Sequence, residues 1–242
     1  MPYTRVTFCP VVRMVKAHRD VCISLLVLFK VLGPNGAEYS GEWRDGKANG
    51  RGKFVHASGD VYEGEWLEDK VEGKGTYTHS DGSTYTGEWH EDKQHGKGKE
   101  SWPDGSVYEG DYVGGKKDGK GLFKWADGSF FEGSFKDNNI DGYGVYTWGD
   151  ARRYEGNWAN NKMHGTGKFV WPDGRVYNGG YEADQKHGYG VFNWSDGSSY
   201  EGGWSNGKRH GKGTNTNAKG VVKDEEWDNG NKIKSVEQHI NP

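Results

Sequence analysis

Four histidines recur in one column of the sequence: His95, His164, His187 and His210 are separated by multiples of 23 residues, and the last three fall in consecutive copies. Imidazoles arranged this way could ligate a transition metal. Asp81, Asp104, Asp127, Asp150, Asp173 and Asp196 keep the same spacing and could offer carboxylates to calcium. Distance argues against both ions. If each copy supplies two strands, residues of one column in neighbouring copies stand about 9 to 10 Å apart, too far to share an ion. The histidines then read as solvated turn residues and the aspartates as turn residues of Asx geometry. The segment from Gly110 to Lys117 reads GDYVGGKK and approaches a phosphate-binding loop. Lys117, however, occupies the place of the Ser or Thr that would touch magnesium, and the surrounding pattern is strand and turn, not helix. Asn193-Trp194-Ser195 is a glycosylation sequon with meaning only in a secreted chain, and Cys9 and Cys22 give neither a disulfide framework nor zinc spacing. The sequence predicts no catalytic residue, no metal site and no cofactor, in a reducing compartment.

The elements that carry these columns follow from glycine and the rings. The chain has 242 residues, of which 41 are glycine and 34 aromatic, with a formal net charge of -3. That charge lacks the basic footprint of a nucleic-acid binder. Tyr39, Tyr62, Tyr85, Tyr108, Phe131, Tyr154, Tyr177 and Tyr200 follow one another at a spacing of 23 without an insertion. Taking this ring as row 0, rows 2, 11 and 13 are glycine in all eight copies, and row 20 is glycine in seven, with Ala151 the exception. All eleven tryptophans fall in row 4 (such as Trp89, Trp158) or row 17 (such as Trp125, Trp148, Trp171).

Rows 0 to 4 alternate ring, polar, glycine, polar, ring, and rows 11 to 17 alternate likewise, which is the period of a strand. Polar turns separate the runs, Arg44 to Asn49 and Ala57 to Asp60 in the first copy. Each copy is therefore a β-hairpin plus a connecting turn. A register in which opposed rows sum to 15 sets Tyr39 against Phe54, Gly41 against Gly52 and Trp43 against Gly50, so that rings cover strand glycines. It also pairs Glu42 with Arg51, Glu65 with Lys74, Glu88 with Lys97 and Asp111 with Lys120 across the opposite face. One such hairpin cannot bury enough to stand alone, so neighbours must stack. The fold class predicted is all-β: an elongated single-layer antiparallel ribbon or solenoid of 23-residue hairpins.

These rows, Tyr-x-Gly-x-Trp, a turn with lysine, Gly-x-Gly, then Asp-Gly before the next ring, resemble the MORN (membrane occupation and recognition nexus) repeat over residues 39 to 222. The resemblance implies a non-catalytic scaffold or adaptor, cytoplasmic and associated with the cytoskeleton, cilia or membranes. Flanking the eight repeats are residues 1 to 38 and a degenerate ninth copy with a C-terminal cap, residues 223 to 242, where Glu225 replaces a glycine and only Trp227 persists. Neither flank is long enough for a catalytic domain. The apolar run from Val21 to Phe29 follows several basic residues. It reads as a targeting or membrane-contacting segment, as a cap on the first hairpin, or as a start-site artefact.

A one-layer sheet with rings on one face points to a protein partner, a helix or extended peptide or a larger complex, lying along an aromatic trough. The trough residues expected are Trp89, Tyr108, Tyr112, Trp125, Phe131, Phe135, Trp148, Tyr154, Trp158 and Trp171; for any one ring the rival reading is simple core. On the other face Tyr143, Val145, Tyr189 and Val191 replace charges found in other copies. They suggest a second contact or a homodimer surface. The alternative function is a phospholipid-binding tether, in which the lysine row (Lys47, Lys70, Lys93, Lys116, Lys162, Lys208) meets anionic membrane headgroups.

Overall fold

The computed structural model describes residues 28–32 and 36–237, so the segment preceding Leu28, with its targeting or cap reading, lies outside the described residues. Every described element is a β-strand. Each copy gives a seven-residue strand, Glu38–Arg44 in the first, and a nine-residue strand, Lys47–Val55, and the pattern repeats through Lys208–Thr216. The chain packs as two compact units: the described residues up to Pro103 with Tyr112–Gly115, and Asp104–Asp111 with the described residues from Lys116. Within the first unit Leu28–Leu32 pairs antiparallel with the strand Glu38–Arg44, and the hairpins follow in chain order. Within the second, antiparallel pairing runs in chain order from Lys116–Lys124 to Asn231–Glu237. The fold is all-β, a stack of antiparallel hairpins in each unit.

The turn inside each hairpin is tighter than the polar run suggests. Only two residues form it, such as Asp45-Gly46 or Asn160-Asn161, both with positive φ, the type I′ geometry that matches strand twist. Rows 8 to 10 therefore belong to the strand, and row 9 faces the rings.

The register differs from the sequence expectation in one place. Tyr39 opposes Phe54 and Gly41 opposes Gly52, but then a bulge intervenes and Trp43 opposes Ala48 instead of Gly50. The uninterrupted sum-of-15 register holds between hairpins, where Gly50 opposes Trp66 and Arg51 opposes Glu65. The bulge accounts for the invariant row-11 glycine: Gly50 sits at φ +71, and a Cβ there would run into the Glu42 carboxylate. It also changes the role of the row-3 acids. Glu42, Glu65, Glu88 and Asp111 accept the backbone N–H of Arg51, Lys74, Lys97 and Lys120, at 3.2, 3.3, 3.3 and 2.8 Å, and so satisfy amides that the bulge takes off the ladder.

The row-2 and row-13 glycines serve the rings. Each row-0 ring lies flat over its own strand and the next, so that a Cβ on Gly52 would fall inside the Tyr39 ring. Its hydroxyl donates to the row-3 carbonyl: Tyr62 to Glu65 at 3.0 Å, Tyr85 to Glu88 at 2.9 Å, Tyr154 to Asn157 at 3.0 Å, with Phe131 the one ring unable to do so. Edge-on row-4 rings then cover it; Tyr154 is held between Trp158 (5.1 Å) and Tyr181 (5.2 Å). This is the core, and burial pushes the Tyr39 hydroxyl up to about 12 and that of Tyr154 higher still.

Candidate partner-binding face

The rings of the expected trough divide into two sets. Tyr108, Phe131 and Tyr154 are fully buried, and Tyr112, Phe135 and Trp158 nearly so, which places them in the core. Trp89, Trp125, Trp148 and Trp171 are half-exposed. Trp89 and Tyr112 belong to the first unit, where both pack on Tyr85 at 5.0 and 5.1 Å.

In the second unit the half-exposed tryptophans do not stand alone. Row 15, which the sequence reading left out of the trough, interleaves with row 17 in a continuous stack. Phe123 lies 4.4 Å from Trp125, Trp125 5.1 Å from Tyr146, and Tyr146 4.5 Å from Trp148. Trp148 then meets Phe169 at 5.2 Å, Phe169 meets Trp171 at 4.3 Å, Trp171 meets Phe192 at 5.5 Å, and Phe192 meets Trp194 at 4.6 Å. Interplanar angles of 26° to 44° make this an offset ladder of ring faces, unlike the edge-on core beneath. The signal was present in the sequence, because row 15 is Phe54, Tyr77, Phe123, Tyr146, Phe169 and Phe192 in six of eight copies.

Cations edge the ladder. Arg152 lies over Trp148 at 5.4 Å and Arg175 over Trp171 at 5.3 Å, each bound through Nε to its own turn acid, Asp150 or Asp173. At the far end Arg209 lies over Trp194 at 4.9 Å and Trp227 at 4.7 Å. Beyond it the ninth copy has Lys223 where a ring would stand. Glu225, buried where the other copies have glycine, accepts from Trp227 Nε1 at 3.1 Å and from Lys232.

The other columns show their work in the turns. Asp81, Asp104, Asp127, Asp150, Asp173 and Asp196 accept the N–H two residues on, at 2.8 to 3.1 Å, and hydrogen bonding lowers the carboxyls of Asp81 and Asp127 below the usual range. His187 faces Glu182 at 3.3 Å and His210 faces Asp228 at 3.6 Å; no group of three metal-ligating side chains comes together among the described residues. Three of the row-8 lysines are paired with acids of the following turn, Lys47 with Glu68, Lys70 with Glu91 and Lys116 with Asp137. On the opposite face Tyr143 and Tyr189 are 51% and 64% exposed, donating to Glu155 at 2.8 Å and Glu201 at 2.5 Å, while Val145 and Val191 are half-buried. No described helix is long and apolar enough to cross a membrane.

Type I′ hairpins stacked in each unit, with a core of rings lying on paired glycines, define a repeat protein. The chain belongs to the MORN repeat family: the repeat matches residues 39–61, 62–84, 85–107, 108–130, 131–150, 154–174, 177–199 and 200–220. No curated protein gives a significant match. Among solved structures, the TCP10 domain of Danio rerio CPAP in complex with a peptide of Danio rerio STIL is similar at a TM-score of 0.50 and 14% identity, covering 86% of this chain and 93% of that one. The same domain without the peptide gives 0.46 and 14%, covering 87% and 100%. The likeness is one of fold.

Proposed function

We propose that this chain is a non-catalytic repeat scaffold that holds a helix or extended segment of a partner protein against the aromatic ladder of its second unit. The observation that carries the reading is the ladder itself, Phe123 to Trp194, in which Phe123, Tyr146 and the four tryptophans are half-buried while Phe169 and Phe192 between them, like the core rings beneath, are buried. Rigid, pre-stacked rings lose little entropy when a ligand covers them, the property of interface anchors. The similar CPAP domain takes a peptide of STIL, and the family resemblance supports a cytoskeletal, ciliary or membrane-associated assembly. Tyr143 and Tyr189 serve as a second contact.

The test is affinity capture at near-physiological salt with the full chain, a Trp125→Ala/Trp148→Ala/Trp171→Ala variant, and a variant with Lys47, Lys70, Lys93 and Lys116 reversed to Glu. A stoichiometric protein lost only with the tryptophans supports the scaffold. Recovery of membrane lipid alone, lost only with the lysines, replaces the scaffold with a tether.

A further inference from the structure

Row 9 changes character along the chain. In the first unit it is Ala48, Val71 and Gln94, all uncharged; towards the end of the second it becomes Lys186 and Arg209. The bulge turns this row onto the rings, opposite row 4, where Tyr181 opposes Lys186 and Trp204 opposes Arg209. The Lys186 ammonium lies 4.8 Å from the centres of Phe192 and Trp204, 5.3 Å from Tyr177 and 5.7 Å from Trp171. Among the described residues no carboxylate lies within ion-pair distance of it, and burial, together with Arg175 and Arg209, pulls its pKa down. Arg209 has only Glu225, at 3.9 Å, and Glu225 is already held by Lys232.

The neighbouring turns sharpen the contrast. Above Ala48, Val71 and Met163 the next hairpin places Asp69, Asp92 and Asp184, whose carboxylates accept the row-9 N–H at 2.7, 2.7 and 2.8 Å. Above Lys186 and Arg209 the corresponding residues are Gly207 and Gly230, which bring a backbone N–H and no acid. Two cations thus sit in a half-desolvated, ring-walled stretch where, among the described residues, Lys186 has no carboxylate within ion-pair distance and Arg209 shares Glu225 with Lys232. Cation–π contact offsets part of their desolvation; a ligand carboxylate would offset more.

We propose that the Lys186–Arg209 stretch of the ring face anchors two acidic side chains of an extended peptide whose intervening apolar residues cover Trp171 and Trp194. This rests on the scaffold reading and names the chemistry of its partner. Same-row residues in adjacent hairpins stand about 9 to 10 Å apart, close to one three-residue turn of an extended polyproline II segment at roughly 3.1 Å per residue, which brings positions i and i+3 to the same face. The motif is therefore acid-x-x-acid with apolar residues between. A flat membrane surface fits less well, because the Lys186 ammonium is recessed among rings, whereas the protruding row-8 lysines Lys47, Lys70 and Lys116 are already paired.

A random 12-residue peptide display library panned on the full chain tests this. The expected winners carry Asp or Glu at three-residue spacing. A synthetic winner should lose about tenfold in affinity for each Glu→Gln change, and similarly against Lys186→Gln or Arg209→Gln, but not against Lys168→Gln on the opposite face. The change made in the peptide leaves the protein's fold untouched. Winners lacking acidic residues, lost on Trp171→Ala or Trp194→Ala, would overturn the acidic anchor and leave the scaffold standing. Winners that ignore both tryptophans would remove both, and so would an empty library beside binding to phosphatidylserine vesicles.

Discussion

The pairing of ring with glycine makes a quantitative demand at Gly167. A Cβ there would occupy the Tyr154 ring, and that ring is fully buried between Trp158 and Tyr181, so it cannot swing away. Overpacking of this kind costs about 1–3 kcal/mol, and displacing the ring also removes the Tyr154 to Asn157 hydrogen bond, worth about 1 kcal/mol. Gly167→Ala should therefore destabilise by about 2–4 kcal/mol. The comparison is Gly188→Ala. Gly188 has φ +71 and nothing near its missing Cβ, so only the left-handed backbone counts, about 1–2 kcal/mol less the roughly 0.4–1 kcal/mol gained by stiffening the unfolded chain. Urea unfolding followed by far-UV circular dichroism and tryptophan fluorescence gives both values where the two signals coincide. Tyr154→Ala adds the decisive arm. With the ring gone the methyl has room, so the double variant should cost no more than Tyr154→Ala alone, a coupling of about 2 kcal/mol or more. If Gly167→Ala costs no more than Gly188→Ala, or if the two changes simply add, the glycine is not there to seat the ring.

Further expectations follow from single positions. Ala151 holds the turn position that is glycine in the other seven repeats, at φ +66, so Ala151→Gly should raise stability by about 0.5–1 kcal/mol, read as an upward shift of Tm; a fall would show that the turn tolerates alanine without strain. Phe131→Tyr supplies the hydroxyl its seven counterparts donate to the row-3 carbonyl and should stabilise by about 0.5–1.5 kcal/mol, checked by the same unfolding curves. His90 Nδ1 lies 3.0 Å from Glu72, which raises the imidazole pKa and lowers the carboxyl pKa. The pair contributes fully between the ordinary carboxyl and imidazole values. That contribution fades as pH rises through the raised value of His90 or falls through the lowered value of Glu72. An NMR titration of the His90 ring should show a lower midpoint in Glu72→Gln, and an unmoved midpoint would deny the contact.

The hairpin, its period and the ring-on-glycine core were legible in the sequence because each is a matter of residue type at fixed spacing. The bulge was not. A flat ladder satisfies every charge pair that the alternation suggests, and nothing in Glu42 or Arg51 taken alone tells that the carboxylate reaches the backbone N–H of Arg51 and not its guanidinium. Missing the bulge hid row 9, since Lys186 and Arg209 read as turn residues until the register brings them opposite Tyr181 and Trp204. It also blurred the candidate binding face. Tyr108 and Trp125 are both rings in invariant-looking columns, and only the packing separates the closed core ring from the half-open ladder ring.

The turn of each hairpin reaches back over the one before it: the N–H of Asp69 donates to the Ala48 carbonyl at 3.0 Å and its carboxylate accepts the Ala48 N–H at 2.7 Å, across 21 residues of chain. The same reach joins Asp92 to Val71, Asn161 to Ile140 and Asp184 to Met163. The fastening has a direction, since in each of these pairs the turn that reaches belongs to the later hairpin. A chain emerging from the ribosome thus secures every hairpin one turn late, and its growing end always carries one unlatched edge. Loss of a hairpin from the C-terminal end of such a run frees the N–H and C=O of a strand residue such as Ala48, whereas loss from the N-terminal end frees the N–H and carboxylate of a turn residue such as Asp69.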